Sequence, residues 1–205
     1  VEKKTGDNED KAYFHYNPDF LRKLGPGVFS MDPCLEEFLG YAGNIYDASL
    51  EITEAVLSEL EKRYPRITEA FFSYKTKERP PLFMLRFLKY YPASIDNTIA
   101  VAHYDRGALT LAICESQEGL RIGLTENPEL VEHQDGKAFL FCGWKMPKVQ
   151  ATRGELVPAW HDAIQVGEPP KGKDHVRWAI VFFAHPEGVE TSEYDNHHLF
   201  RHSFV

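Results

Sequence analysis

The tetrapeptide Ala102-His103-Tyr104-Asp105 sets an imidazole and a carboxylate two residues apart. On a β-strand, residues two apart project from the same side, so His103 and Asp105 face one way and Tyr104 the other. An imidazole nitrogen beside a carboxylate oxygen supplies two of the three ligands of a facial metal site. The same pair also fits a His–Asp hydrogen bond on a sheet surface, and the spacing alone does not separate the two readings. Arg177 is a second chemical candidate, isolated among Val176, Trp178, Ile180, Val181, Phe182 and Phe183. A guanidinium in such a run needs a buried anionic partner, unless it sits at a sheet edge and pairs with a surface carboxylate. The remaining histidines form no comparable set. His185, His197, His198 and His202 gather towards the C-terminus without a cysteine or carboxylate at a recognised zinc spacing, and read as a solvated tail. His133 and His175 lie in polar text, His15 lies in the N-terminal arm, and none of them is assigned a role. Hydrolase elbows, P-loops and dinucleotide-binding glycine patterns are absent.

The elements that must position these residues follow from the hydrophobic pattern. VEKKTGDNED reads as a disordered arm, and residues 12 to 30 as irregular aromatic and Gly/Pro-rich text packed on the main body. Asp32-Pro33 is a helix start, with Asp as N-cap and Pro in the first turn. Leu35, Phe38, Leu39, Ala42, Ile45, Tyr46, Ile52, Val56, Leu57 and Leu60 then recur at helical spacing, with glutamates mainly on the other side. This predicts a long amphipathic helix ending near Tyr64-Pro65, and a short second helix is expected around Thr68 to Tyr74. After Pro80-Pro81 come short β-forming runs: LFMLRFLKYY, TIAVAHYD, ALTLAIC, GLRIGL, AFLFCGW, ELVPAWH and VRWAIVFFA. Turn-prone text separates them, which indicates a β-sandwich or jelly roll. The expected fold is mainly β with N-terminal helices, a jelly-roll (double-stranded β-helix) core backed by the long amphipathic helix. Residues 1–81 are the expected arm and helical part, and 82–205 the core with a C-terminal tail, within one structural domain.

The wider text around these elements resembles a known family. HYDRGALTLAICESQEGLRIG resembles the iron-binding strand and following hairpin of the Fe(II)/2-oxoglutarate-dependent oxygenases. These are related to isopenicillin N synthase and to plant flavonoid and gibberellin oxygenases. Their pattern H-x-D-x-G-x-L-T-L, an acidic turn, then G-L-Q-V is matched in step by His103, Asp105, Gly107, Leu109, Thr110, Leu111, Gly119, Leu120 and Ile122. LRFLKYYP is similar to the family strand L-K-x-N-Y-Y-P, and TRGELVPAWH to S-N-G-(x)6-H. RWAIVFFAHP is similar to R-x-S-(x)3-F-(x)2-P. The likeness runs over roughly residues 32 to 186, in four blocks in the right order. It implies His103, Asp105 and His161 as ligands of one iron(II), with three cis positions left for 2-oxoglutarate and O2. It further implies that Arg177 holds the far carboxylate of 2-oxoglutarate through two parallel hydrogen bonds, with Tyr91 donating its hydroxyl to the same group. Two departures stand out: Ala179 replaces the family serine two residues after the arginine, and Lys89 replaces the asparagine before the paired tyrosines.

Composition narrows the partners. The formal net charge of -8, with no long Lys/Arg cluster, disfavours nucleic acid and favours a small organic substrate. The 14 Phe, 10 Tyr and 3 Trp suit a β-rich core or an aromatic-lined cavity. Cys34, Cys114 and Cys142 are odd in number and irregularly spaced, which points to a reducing compartment, the cytoplasm; Cys114 and Cys142 read as buried apolar groups. No apolar run reaches membrane-spanning length, and the start at Val1 rather than Met leaves room for an upstream segment. The leading expectation is 2-oxoglutarate- and O2-dependent C–H oxidation. The alternatives are an iron oxidase of the same fold that uses no 2-oxoglutarate, and a non-catalytic jelly-roll binding protein.

Overall fold

The computed structural model describes residues 11–24, 32–73, 83–92, 97–123, 128–169 and 171–189. Among the described residues, nine strands form two antiparallel sheets. Strand β1 is Lys11–Tyr16, β2 Met84–Tyr90, β3 Thr98–His103, β4 Leu109–Glu115, β5 Leu120–Ile122, β6 Glu129–Leu130, β7 Phe139–Cys142, β8 His161–Ile164 and β9 Arg177–Ala184. The five-stranded sheet runs β1-β2-β9-β4-β7, and the four-stranded sheet runs β3-β8-β5-β6. From β2 onward the chain crosses repeatedly between sheets, which is jelly-roll connectivity. The N-terminal text expected to be irregular contains β1, which pairs in unbroken antiparallel register with β2, Tyr16 opposite Leu85 and Lys11 opposite Tyr90. Its aromatic residues give it β propensity, and the free edge of β2 supplies the backbone partners that the strand cannot find alone. A short helix, α1, follows at Pro18–Leu24. The expected N-terminal arm at 1–10 and the C-terminal His197, His198 and His202 lie outside the described residues.

Helix α2 spans Pro33–Glu61, and α3 spans Ile67–Phe72. The Asp32 carboxylate accepts from the Cys34 N–H at 2.9 Å, which satisfies one of the otherwise orphaned first-turn donors of α2. Ala42, Tyr46, Ser49, Thr53 and Leu57 are its buried residues, a stripe spaced three or four apart. The buried Ser49 and Thr53 hydroxyls bond back to their own helix, Ser49 donating to the Ile45 carbonyl and Thr53 to the Ser49 carbonyl. Replacing Asp32 by alanine is expected to cost about 1 kcal/mol, lowering Tm by a few degrees in thermal denaturation without altering ligand affinity.

Period-two alternation divides the five-stranded sheet into two faces. Leu85, Phe87, Leu109, Leu111, Ile180 and Phe182 join the core beneath α2, where Tyr46 meets Phe182 edge-on at 5.4 Å and Phe38 meets Phe87 at 4.9 Å. A fully buried ring of this kind stabilises the fold by roughly 1.5–3 kcal/mol. The residues between them, Arg86, Leu88, Tyr90, Ala112, Cys114, Arg177, Ala179, Val181 and Phe183, turn the other way and wall a cavity between the sheets. Cys114 therefore lies exposed along this wall rather than in the apolar interior. Among the described residues no helix is long and apolar enough to cross a membrane.

Candidate metal centre and cavity

His103 is the last residue of β3, and His161 is the first of β8. The two are direct cross-strand partners, so residues 58 positions apart in sequence are brought together by antiparallel pairing alone. Their ring centroids are 4.5 Å apart. Asp105 lies beyond the end of β3, in the segment leading to β4, rather than on the strand as simple alternation requires. It leaves the ladder because its carbonyl accepts from the Trp144 N–H at 2.7 Å, while the Gly107 carbonyl accepts from Lys145. This turn admits only glycine at its neighbour. A Cβ on Gly143 would stand 2.4 Å from the Gly107 carbonyl oxygen and 2.8 Å from that of Asp105. Gly143→Ala is therefore expected to displace the Asp105 turn. Its checks are a lowered Tm and weakened divalent-metal binding.

The three side chains place one potential ligand atom each within 4.8 Å of one another. Asp105 Oδ1 lies 3.6 Å from His103 Nε2, and Oδ2 lies 3.6 Å from His161 Nε2. These separations are too long for hydrogen bonds. They are close to the roughly 3 Å between two cis ligands each about 2.1 Å from one ion. Each imidazole is oriented from behind in the same way. His103 Nδ1 meets the Val101 carbonyl at 2.6 Å, and His161 Nδ1 meets the Ala159 carbonyl at 3.0 Å. A carbonyl can only accept, so each Nδ1 carries the proton and each Nε2 keeps its lone pair towards Asp105. This is the tautomer that a metal-binding imidazole needs.

Charge and burial match that role. Burial alone would raise the Asp105 carboxyl, but the nearby His103 and His161 imidazoles and the Thr110 hydroxyl hold it below the usual carboxylate range. His161 is buried, and desolvation is the main reason its pKa is lowered, so it is neutral near pH 7. For His103 burial works downward, but Asp105 outweighs it and the pKa is raised. Thr110, fully buried on β4, donates to Asp105 Oδ2 at 2.7 Å and so aims the carboxylate. A borderline two-imidazole, one-carboxylate donor set, with Nε2 atoms and carboxylate oxygens converging, fits a divalent transition ion such as iron(II). Thr110→Val keeps the volume and removes this hydrogen bond. It is expected to weaken iron(II) binding about 10- to 100-fold, measured by anaerobic metal titration.

The cavity opening from these residues has a volume of about 600 Å³. Arg177 lies on its wall, only 5% exposed, at the start of β9. Its Nε donates to the Gln117 carbonyl at 3.2 Å, and one terminal nitrogen donates to the Glu115 carboxylate, which is equally buried. Glu115 is the cross-strand partner of Ala179, so the small Ala179 side chain leaves Glu115 room to reach along β9 to Arg177. The position of the family serine is thus bound up with this ion pair. Gly119 also approaches closely, a Cβ there standing 2.4 Å from the Ile164 carbonyl and 3.4 Å from Arg177 Cδ.

The tyrosine on the cavity wall is Tyr90, not the Tyr91 that the family pattern implies. Tyr91 follows the end of β2 and lies beneath the Lys89 ammonium at 5.1 Å. Tyr90 lines the cavity, is the cross-strand partner of Arg177, and has the Arg177 guanidinium over its ring at 5.3 Å. A one-residue shift in strand parity moves a side chain to the opposite face, and alignment to paired tyrosines does not resolve it. The same shift removes Phe87 and Lys89 from the cavity and brings in Arg86 and Leu88, while Arg106 is exposed and Trp160 packs on Tyr104.

No protein-family model and no curated protein sequence matches the chain. Solved structures do. A full-length Neurospora crassa protein, in complex with alpha-KG and 5-formyluracil, superposes with a TM-score of 0.64 at 17% identity, over 93% of this chain and 65% of that one. AtDAO1, the dioxygenase for auxin oxidation 1 of Arabidopsis thaliana, in complex with 2-oxoglutarate, gives 0.61 at 17% identity, over 86% of this chain and 62% of that one. A Caulobacter crescentus protein ascribed to the 2OG-Fe(II) oxygenase family gives 0.59 at 20% identity, over 94% and 64%. The chain thus spans less than two thirds of these similar structures, and at such identities the likeness establishes a shared fold.

Proposed function

We propose that the chain is an iron(II)- and 2-oxoglutarate-dependent oxygenase that oxidises a C–H bond of a small organic substrate, releasing succinate and CO2. The observation that carries the reading is the convergence of His103, Asp105 and His161, both imidazoles offering Nε2, at a cavity whose wall also holds Arg177. The fold is the one in which the Neurospora crassa protein binds alpha-KG and AtDAO1 binds 2-oxoglutarate, which supports the same co-substrate here. Bound iron(II) would supply activation of O2 coupled to oxidative decarboxylation of 2-oxoglutarate. His103, Asp105 and His161 would hold that iron. The Val101 and Ala159 carbonyls keep both imidazoles in the ligating tautomer, and Thr110 keeps the carboxylate aimed. Arg177 has donors left over from Gln117 and Glu115, and these take the far carboxylate of 2-oxoglutarate beside the Tyr90 ring. Leu88, Leu120, Phe141 and Phe183 give the cavity apolar walls that limit water near the metal. The proposed unit is one domain, residues 1–81 packed on the core at 82–205, working in the cytoplasm.

One observation favours a second reading. Glu115 already neutralises Arg177, and Ala179 offers no hydroxyl to a bound carboxylate. An oxidase of this fold that dispenses with 2-oxoglutarate would have the same features. Purified protein loaded with iron(II) decides between them. Oxygen uptake matched by 2-oxoglutarate loss and succinate formation supports the first reading. Uptake that proceeds equally without 2-oxoglutarate supports the second.

A further inference from the structure

Three arginines among the described residues are not exposed: Arg86, Arg121 and Arg177. Arg121 meets the Asp162 carboxylate, and Arg177 meets that of Glu115. Arg86 makes no ion pair with any described carboxylate. Its Nε donates to His15 Nε2 at 2.7 Å, across the direct β1–β2 pairing of the two residues. His15 cannot serve as a counter-ion. Burial, helped by the Arg86 charge, lowers its pKa to about 4, so it is a neutral acceptor. It instead fixes the guanidinium, which lies 4.8 Å from the Phe183 ring centroid and 5.4 Å from that of Tyr13, while Tyr13 stacks on His15 at 4.8 Å. The terminal amino groups of Arg86 hydrogen-bond to no described residue, and Arg86 stands on the cavity wall. The acidic group that most favours its charge is Asp105, whose own charge is spent once it ligates a cation. A partly buried cation with no anion is costly, and a cavity wall is where a ligand can supply the anion.

The geometry points to Arg86, oriented by His15, as the residue that binds the carboxylate of the primary substrate, a small monocarboxylic acid with an apolar body. The inference rests on the oxygenase reading of the metal centre. Arg86 and Arg177 face the same cavity from β2 and β9, but Arg177 is opposite Tyr90, four residues along β2 from Arg86. That offset is about 13 Å along the sheet, and in the proposed binding mode the other end of 2-oxoglutarate is committed to the metal, so Arg86 is left for the anion of a different ligand. The wall therefore offers two separate carboxylate subsites, one for the co-substrate at Arg177 and one for the substrate at Arg86. One guanidinium beside a neutral histidine matches a monoanion, and its planar fork matches a carboxylate. Leu88, Val181 and Phe183 on the same wall accept the apolar body.

The test uses iron(II)-loaded protein saturated with 2-oxoglutarate under anaerobic conditions. A panel of alkyl and arylalkyl monocarboxylic acids of about eight to twelve carbons, each paired with its primary amide, is titrated by calorimetry. At least one acid is expected to bind about tenfold or more tightly than its amide. Arg86→Met should abolish that preference, and Arg86→Lys should keep part of it. His15→Phe should weaken the acid about threefold or more and leave the amide unchanged. Affinity for 2-oxoglutarate should change by less than about threefold in Arg86→Met, since the lost charge-assisted contact belongs to another ligand. Wild-type protein that binds 2-oxoglutarate but prefers no acid over its amide overturns this inference alone, whatever becomes of the variants. So does Arg86→Met that keeps the preference, or that loses 2-oxoglutarate instead. Wild-type protein that takes up neither iron nor 2-oxoglutarate overturns the oxygenase reading as well.

Discussion

His103→Ala should lose turnover of 2-oxoglutarate by on the order of 10³-fold or more, since groups that merely orient metal ligands are worth about 10- to 100-fold. The loss should appear first as failure to retain iron(II) after desalting. Asp105→Ala and His161→Ala should do the same, but the three differ in what else they disturb. His103 is half-exposed at the end of β3, and its removal leaves no buried void. His161 is buried against Phe141, with ring centroids 4.8 Å apart, so its truncation also lowers Tm. Asp105→Ala leaves the buried Thr110 hydroxyl without its acceptor. His103→Ala is therefore the cleanest of the three, folded like the parent and empty of iron. An unchanged metal content in that variant would remove His103 from the ligand set.

The second large effect concerns Arg177. Arg177→Met should raise the KM for 2-oxoglutarate roughly 100-fold, the loss expected for charge-assisted hydrogen bonds to a carboxylate. It should also cost roughly 3–5 kcal/mol of stability, because Glu115 is left buried without its cation. These two consequences are separable. Arg177→Met combined with Glu115→Gln leaves neither charge unpaired, so most of the stability should return while the high KM remains. If the pair were only structural, the double variant would bind 2-oxoglutarate as the parent does. Glu115→Gln alone gives the converse. Arg177 keeps its full charge without a counter-ion, so 2-oxoglutarate should bind several-fold more tightly and raise Tm by more than it does in the parent.

The candidate metal ligands are legible in the sequence, and the cavity wall is only partly so. His103 and Asp105 announce themselves as an alternating pair, although Asp105 reaches the site from a turn held by Trp144 rather than from the strand itself. His161 carries no local signal. Its place depends on β3–β8 register, and a four-block resemblance points to it where spacing does not. Glu115 sits 62 residues from Arg177 and meets it only because β4 and β9 pair with a bulge between Ala112 and Cys114. Tyr90 and Tyr91 differ by one step of strand parity, which is the difference between lining the cavity and lying outside its lining. Arg86 does carry a signal. It is an arginine inside the apolar run Met84-Leu85-Arg86-Phe87-Leu88, and the argument that singles out Arg177 applies to it without change. His15 carries none, because nothing in the text around it shows that β2 recruits it as a strand.

Anaerobic titration of the iron(II)-loaded protein with 2-oxoglutarate, followed by visible absorption, tests the central claim most directly. A broad metal-to-ligand charge-transfer band should develop and saturate at one equivalent of 2-oxoglutarate and one of iron per chain, and should be absent from His103→Ala. A protein that binds iron without developing the band, or a band that survives intact in His103→Ala, would contradict a 2-oxoglutarate-binding iron centre built on His103, Asp105 and His161.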